Sequence, residues 1–234
     1  MTARRPVLAT VLAAVLLLAG CGGADGGGDG GGDAAVARTS APSSAQATGS
    51  DGVTLDPATV RDPGEAALAV ALRGTDLLPG WSVQAGPVPA SSDMSGNPSL
   101  EGICGVPFAS EERRVLKFPV VGLDPRGVPA VVSEAIAYDS AAGGALALTE
   151  LRDALLSCPA GDRTFAEPPA IDALAEDVVA ARYRLADGTT QDVIAQGRGA
   201  VVSVLITEDP AAGAAAAQGI ARRLRALPAA AVGQ

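Results

Sequence analysis

The 234 residues carry 17 Lys plus Arg against 26 Asp plus Glu, a formal charge of −9, with no histidine and only 3% aromatic side chains. Without histidine the chain can build neither a Ser-His-Asp nor a Cys-His nucleophilic centre, nor a histidine-ligated metal site. The acidic balance argues against nucleic acid as a partner and against electrostatic docking on anionic lipid, while chemistry that needs only carboxylates remains open. Ala, Val and Leu must supply most of the core, so the single tryptophan, Trp81, is expected to be buried in it.

The chain opens with Arg4 and Arg5, followed by an apolar run from Val7 to Ala19 that ends at Gly20 and Cys21. That is the tripartite shape of a secretory signal, and the run falls short of the roughly 20 apolar residues a spanning helix needs. Leu18-Ala19-Gly20-Cys21 resembles the bacterial lipobox. The resemblance implies cleavage before Cys21, diacylation of its thiol and residence on the outer face of the cytoplasmic membrane. Two acyl chains anchor durably where one binds only marginally. Losing Arg4 and Arg5 with the leader would take the formal charge from −9 to −11.

From Gly22 to Ser50 the sequence is Gly, Asp, Ser and Ala with nothing large to bury, the composition of a disordered tether. A flexible coil of about 30 residues spans on the order of 30 Å. Its Gly-Asp alternation lacks the apolar residue that calcium-binding nonapeptide repeats require, so no calcium site is expected. The expected organisation is a leader at 1–20, a lipidated Cys21 with linker at 21–52, and one folded domain at 53–234.

Asp62-Pro63-Gly64-Glu65 predicts a helix with an acidic N-cap, Gly74 as its stop, and Leu68, Ala71 and Leu72 on one face. Leu77 to Val83 reads as a turn into a short extended segment, and 84–102, rich in Pro, Ser, Gly and Asn, as a long surface loop. Val131 to Tyr138 predicts a strand with Val132, Ile136 and Tyr138 on the face that also carries Glu134. Ser140 caps a helix to about Ser157, with Leu148, Leu151, Leu155 and Cys158 in one stripe.

Val178 to Leu185, Thr190 to Gln196 and Ala200 to Ile206 are β-rich runs separated by Asp187-Gly188 and Arg198-Gly199, which predicts a three-strand antiparallel meander. In it Val179, Ala181, Tyr183 and Leu185 face inward, and Arg182 and Arg184 outward. Asp209-Pro210 starts a last helix with Ile220, Leu224 and Leu227 buried, and with Arg222 and Arg225 pointing away and suited to its negative end. The order of elements predicts an α+β two-layer sandwich: a mainly antiparallel sheet with helices packed on one face.

With Cys21 acylated, Cys104 and Cys158 form the even pair that an exported protein oxidises to a disulfide. Glu111-Glu112-Arg113-Arg114 could line a polar cleft but reads first as a solvated face. Glu134, on the apolar face of its strand, must be paired, protonated or at a cavity mouth, unless the strand is an edge. Glu150 with Asp153, and Glu176 with Asp177, are the acid pairs a hydrolase would draw on, yet nothing fixes their separation.

Asp76-Leu77-Leu78-Pro79-Gly80-Trp81, the Cys104 segment, the strand ending Ala137-Tyr138, the helix ending Leu156-Ser157-Cys158 and the final strands and helix resemble the small cysteine-containing domains of actinobacterial lipoproteins. More distantly they resemble the extracytoplasmic sensor domain of actinobacterial membrane serine/threonine kinases. The resemblance spans most of 64–227 and implies an antiparallel sheet and a ligand-binding or sensing role. Those sensor domains carry two disulfides where this chain can make one, and no family site motif maps onto its residues. The expectation is a monomeric, non-enzymatic domain without cofactor or metal, tethered by covalent lipid, that takes a small apolar ligand or an envelope protein as partner. An assembly partner of an envelope complex and a carboxylate-dependent hydrolase are the alternatives.

Overall fold

The computed structural model describes residues 54–84, 99–158 and 163–234. The leader, Cys21, the tether and most of the loop expected at 84–102 lie outside them. Asp62 Oδ1 accepts the Glu65 amide at 2.9 Å and Glu65 Oε2 accepts that of Arg61 at 2.8 Å, so reciprocal bonds open helix α1, Pro63–Val70. The helix stops before the expected Gly74. Asp76 Oδ2 takes the Arg73 amide at 2.9 Å and draws the chain into the 3-10 turn Gly74–Asp76. Ala66, Ala67, Ala69 and Val70 are all buried, so α1 is enclosed around most of its girth instead of along one stripe.

Seven strands form one sheet in the order β1-β2-β3-β7-β6-β5-β4. They are Ser82–Val83, Arg114–Leu123, Pro129–Tyr138, Arg163–Ala166, Asp177–Leu185, Thr190–Arg198 and Val201–Thr207, numbered β1 to β7. Every neighbouring pair is antiparallel. The expected meander is β5-β6-β7, turned at Gly188 (φ +88°) and Gly199 (φ +56°), left-handed conformations that glycine adopts without strain. β4 extends the sheet beyond the strands read from the sequence. The one-turn helix α2, Glu101–Cys104, precedes β2.

Ser140 Oγ accepts the Gly143 amide at 3.2 Å and opens α3, Ala141–Ser157. Asp209 Oδ1 accepts the amides of Ala211 and Ala212 at 3.0 and 2.9 Å and opens α4, Pro210–Ala226. The fold is an α+β sandwich built on an antiparallel sheet, as expected, but its helices do not share one face. Val131, Ala135, Ala137, Ile194, Val201 and Leu205 pack with α1 and α4. Ile136, Tyr138, Val193, Ala195, Val202 and Val204 point the other way and pack with α3. Successive strand residues alternate faces, and both sets are apolar, so both faces need cover.

Three further expectations change. Trp81 is half-buried, and the large side chains fully enclosed are Tyr138 and Tyr183. Leu100, near the end of the expected surface loop, is 0% exposed and seats in the α3-side core. Arg225 donates to the carbonyls of Ala173 and Leu174 at 2.9 and 3.0 Å, while Arg198, from β6, reaches those of Leu224 and Arg225 at the end of α4.

Candidate functional site

Period-two alternation carries Lys117 of β2 and Glu134 of β3 onto the α3 face, where Lys117 Nζ lies 3.2 Å from Glu134 Oε1. The Lys117 side chain is 3% exposed and that of Glu134 18%. Because β3 lies between β2 and β7, the edge position that would have excused Glu134 does not apply; the carboxylate is paired.

The 3-10 turn Ala109–Arg113 closes over this end of the sheet. Glu150 of α3 fixes it by accepting the amides of Ala109 and Ser110 at 2.9 and 3.0 Å. Held there, Glu111 points inward: Oε1 accepts the amides of Ser99 and Leu100 at 2.9 and 3.0 Å, and Oε2 accepts Arg114 Nε at 2.8 Å. The run 111–114, read as a solvated face, therefore divides. Glu111 and Arg114 form an ion pair with side chains only 14% and 6% exposed, Glu112 is in solvent, and Arg113 meets Asp139 at 3.0 Å near the surface. The Arg113 hydrogen bond, with that of Ser140, holds the Asp139 carboxyl below its ordinary range.

Tyr138 completes the group. Its side chain is fully buried, and burial raises the hydroxyl pKa above its ordinary value; the negative charges of Glu111 and Glu134 add to the rise, whereas Ser110 and Arg114 oppose it. Four buried polar atoms here have no partner among the described residues: Glu134 Oε2, Tyr138 OH, Ser110 Oγ and Ser99 Oγ. An unsatisfied buried polar atom is unfavourable by about 1 to 3 kcal/mol. The cluster thus has unused hydrogen-bonding capacity in one region of the molecule.

The other acidic candidates are placed elsewhere. Glu150 is occupied with backbone and its neighbour Asp153 is exposed; Glu176 and Asp177 are both exposed. Among the described residues no three cysteine or acidic side chains are grouped to hold a metal ion. Cys104 and Cys158 are joined as a disulfide, with Cα atoms 5.2 Å apart, tying α2 to the end of α3 beside the same core.

A second ionic cluster lies on the opposite face. Arg223 of α4 chelates Asp76 through Nη1 and Nη2, both at 2.6 Å, and Arg223 Nη2 also reaches the carbonyls of Val70 and Ala71 at 3.3 and 3.1 Å. Arg73 caps the same helix end at Ala69 O, 2.8 Å away. Burial is the first cause of its lowered pKa, and Arg223 adds to it.

Sequence reasoning places Tyr138 only as a strand residue on the face of Glu134 and Asp76 only within the family resemblance, and it misses Lys117 and Arg223. Lys117 was legible on the ground that singled out Glu134: it interrupts Val115-Leu116 and Phe118, and opposite charges at inward positions of successive strands suggest a pair. Nothing local marks Asp76 or Arg223, which lie 147 residues apart.

No protein-family description matches the chain, and no curated protein does. Among solved structures it is similar to the extracellular domain of PknH from Mycobacterium tuberculosis, with a TM-score of 0.39 and 11% identity over 62% of this chain and 78% of that one.

Proposed function

We propose that this chain is an extracytoplasmic lipoprotein, anchored through Cys21, whose folded domain binds a ligand at the Lys117–Glu134 cluster and catalyses no reaction. The anchor rests on the lipobox-like Leu18-Ala19-Gly20-Cys21 behind a basic start and an apolar run, followed by a Gly-, Asp- and Ser-rich stretch. A disulfide suits an oxidising compartment and so fits export.

Binding is carried by one observation: of the six unsatisfied buried side-chain atoms among the described residues, four lie on the α3 side with the Lys117–Glu134 and Glu111–Arg114 pairs, while Ser133 Oγ and Arg223 Nε lie on the other face. A hydrolytic pair would need two carboxylates facing each other, whereas Glu134 faces Lys117, Glu111 faces Arg114, and Glu150 holds backbone amides.

Mass spectrometry of protein purified from its native host tests the anchor: acyl mass on Cys21 is expected, and an unmodified mature amino terminus would remove it. For binding, native mass spectrometry of gently extracted protein should show a small molecule that leaves on denaturation. Among the described residues Leu156 and Phe165 are 73% and 57% exposed, which favours an envelope protein partner as the second reading. Crosslinking in membranes that traps one stoichiometric protein, with no small molecule retained, would select it.

A further inference from the structure

We infer that two copies of this chain join edge to edge through β4, antiparallel about a twofold axis at Phe165, so that the sheet continues from one copy into the other. The pairing is independent of the ligand reading above and differs from the monomer expected from sequence. β4 ends the sheet, and among the described residues it pairs only with β5, Arg163 opposite Leu185 and Ala166 opposite Arg182. A strand hydrogen-bonded on one side only turns about half of its N–H and C=O groups outward. Successive side chains point to opposite faces, yet Thr164 and Phe165 are both exposed, so neither face of β4 is covered.

Phe165 is out of place on an ordinary edge. The other two phenylalanines, Phe108 and Phe118, are 6% and 2% exposed, whereas Phe165 is 57% exposed. Edges that stay single are guarded by Lys, Pro or a bulge; β4 has none of these and is protected only by being four residues long. The Phe165 ring lies 5.2 Å from that of Tyr183, and Arg163, two residues away on the same face, lies 5.9 Å from the centre of the Tyr183 ring. Tyr183 OH donates to the Leu155 carbonyl at 3.2 Å, which brings the end of α3 and the 73% exposed Leu156 to the same corner.

The order of residues along the edge, Arg163-Thr164-Phe165-Ala166-Glu167, selects a second copy as the occupant. Antiparallel pairing runs the segment backward against itself, and directly opposite residues share a face. Centred on Phe165, the register sets Arg163 opposite the second copy's Glu167, Glu167 opposite its Arg163, and the two Phe165 rings side by side. Centred on Thr164 it would set Arg163 opposite Phe165, and centred on Ala166 it would set Phe165 opposite Glu167; both lose the ion pairs and the ring pair. The twofold axis repeats the ion pair. Arg163 and Glu167 cancel, so the edge meets its copy without local repulsion although the chain carries −9.

Sedimentation equilibrium of the full chain in density-matched detergent tests the inference. A monomer–dimer equilibrium is expected. Phe165→Ser should weaken it at least about tenfold, since the ring pair and its buried apolar area are lost. Arg163→Glu and Glu167→Arg should each weaken it about threefold to thirtyfold, because each sets two like-charge pairs across the axis. Combining the two should restore association to within about threefold of the native chain. Should Phe165→Ser fail to fold, the charge variants decide, since Glu167 is in solvent and its replacement takes nothing from the core.

A monomer at every concentration, single charge variants that dimerise like the native chain, or a combined variant no better than the single ones overturns the inference. So does a photo-crosslinker in place of Phe165 that traps a different protein in native membranes, which would give this edge to the envelope-partner reading. Each of these outcomes leaves the ligand-binding reading standing.

Discussion

The Asp76 and Glu134 clusters, buried on opposite faces of the sheet, have similar ingredients and opposite states of completion. At Asp76, both carboxylate oxygens are taken by Arg223 and one also by the Arg73 amide, and the guanidinium groups then cap the carbonyls that end α1. Only Arg223 Nε is left over. At Glu134, one oxygen is paired and the other is not, and three hydroxyls in the same region are unpartnered as well. A cluster that closes on itself fastens two helices; one left open has capacity for something else. The difference separates a structural ion pair from a candidate site more sharply than burial or charge does.

That contrast can be broken most directly at its closed side. Asp76→Ala leaves Arg223 buried without its counter-ion and should destabilise the domain by about 3 to 5 kcal/mol in denaturant unfolding. Gly219→Ala should act in the same direction, since a Cβ at that position would overlap the Asp76 carboxylate. If Asp76→Ala leaves the midpoint unchanged, the clamp is not what fastens α1 to α4.

On the open side the largest support is covalent. Cys104 and Cys158 close a loop with a sequence separation of 54, and replacing both by serine should lower stability by on the order of 4 kcal/mol from chain entropy. Equal unfolding midpoints of the native and doubly substituted proteins would remove that role. Next comes Glu150→Ala, which strips two amides of the turn carrying Glu111 and should lower stability by about 1 to 2 kcal/mol. Its amide exchange should quicken at Ser110, and an unchanged rate there would show the turn to be held by other contacts.

The smallest effect sharpens the comparison most. Tyr138→Phe removes a buried hydroxyl with no described partner, so stability near neutral pH should stay within about 1 kcal/mol of the native protein or rise. The pH dependence should change as well. The folded hydroxyl has a raised pKa, so above the unfolded value, near 10, the unfolded chain loses a proton that the folded one keeps, and stability falls as pH rises. That alkaline decline should be shallower in Tyr138→Phe, as equilibrium unfolding from about pH 8 to about pH 12, two units either side of the tyrosine pKa, would show.

Local chemistry was readable wherever one stretch of chain decides its own shape. Asp62, Ser140 and Asp209 cap the three long helices as their sequences imply, because a cap involves only the next two or three residues. Gly188 and Gly199 mark the turns of the meander for the same reason. The side of the sheet to which each helix goes was less plain. Val201-Val202-Ser203-Val204-Leu205 is apolar at nearly every position, which signals a strand covered on both faces, whereas the order of elements alone predicts helices on one face. β4 is four residues long, too short for its own periodicity to declare it.

Sequence by itself determined the caps, the turns, the meander, the two cysteines available for bridging and the lipobox-like Cys21 that the described structure does not reach. Tertiary structure alone decided that Glu134 sits beside Lys117, that Glu111 turns inward, and that Asp76 is chelated by Arg223. The physical reason is range: a cap or a turn is settled within a few residues, whereas the partner of a buried charge is chosen by how strands register and helices pack, and those partners come from distant parts of the chain.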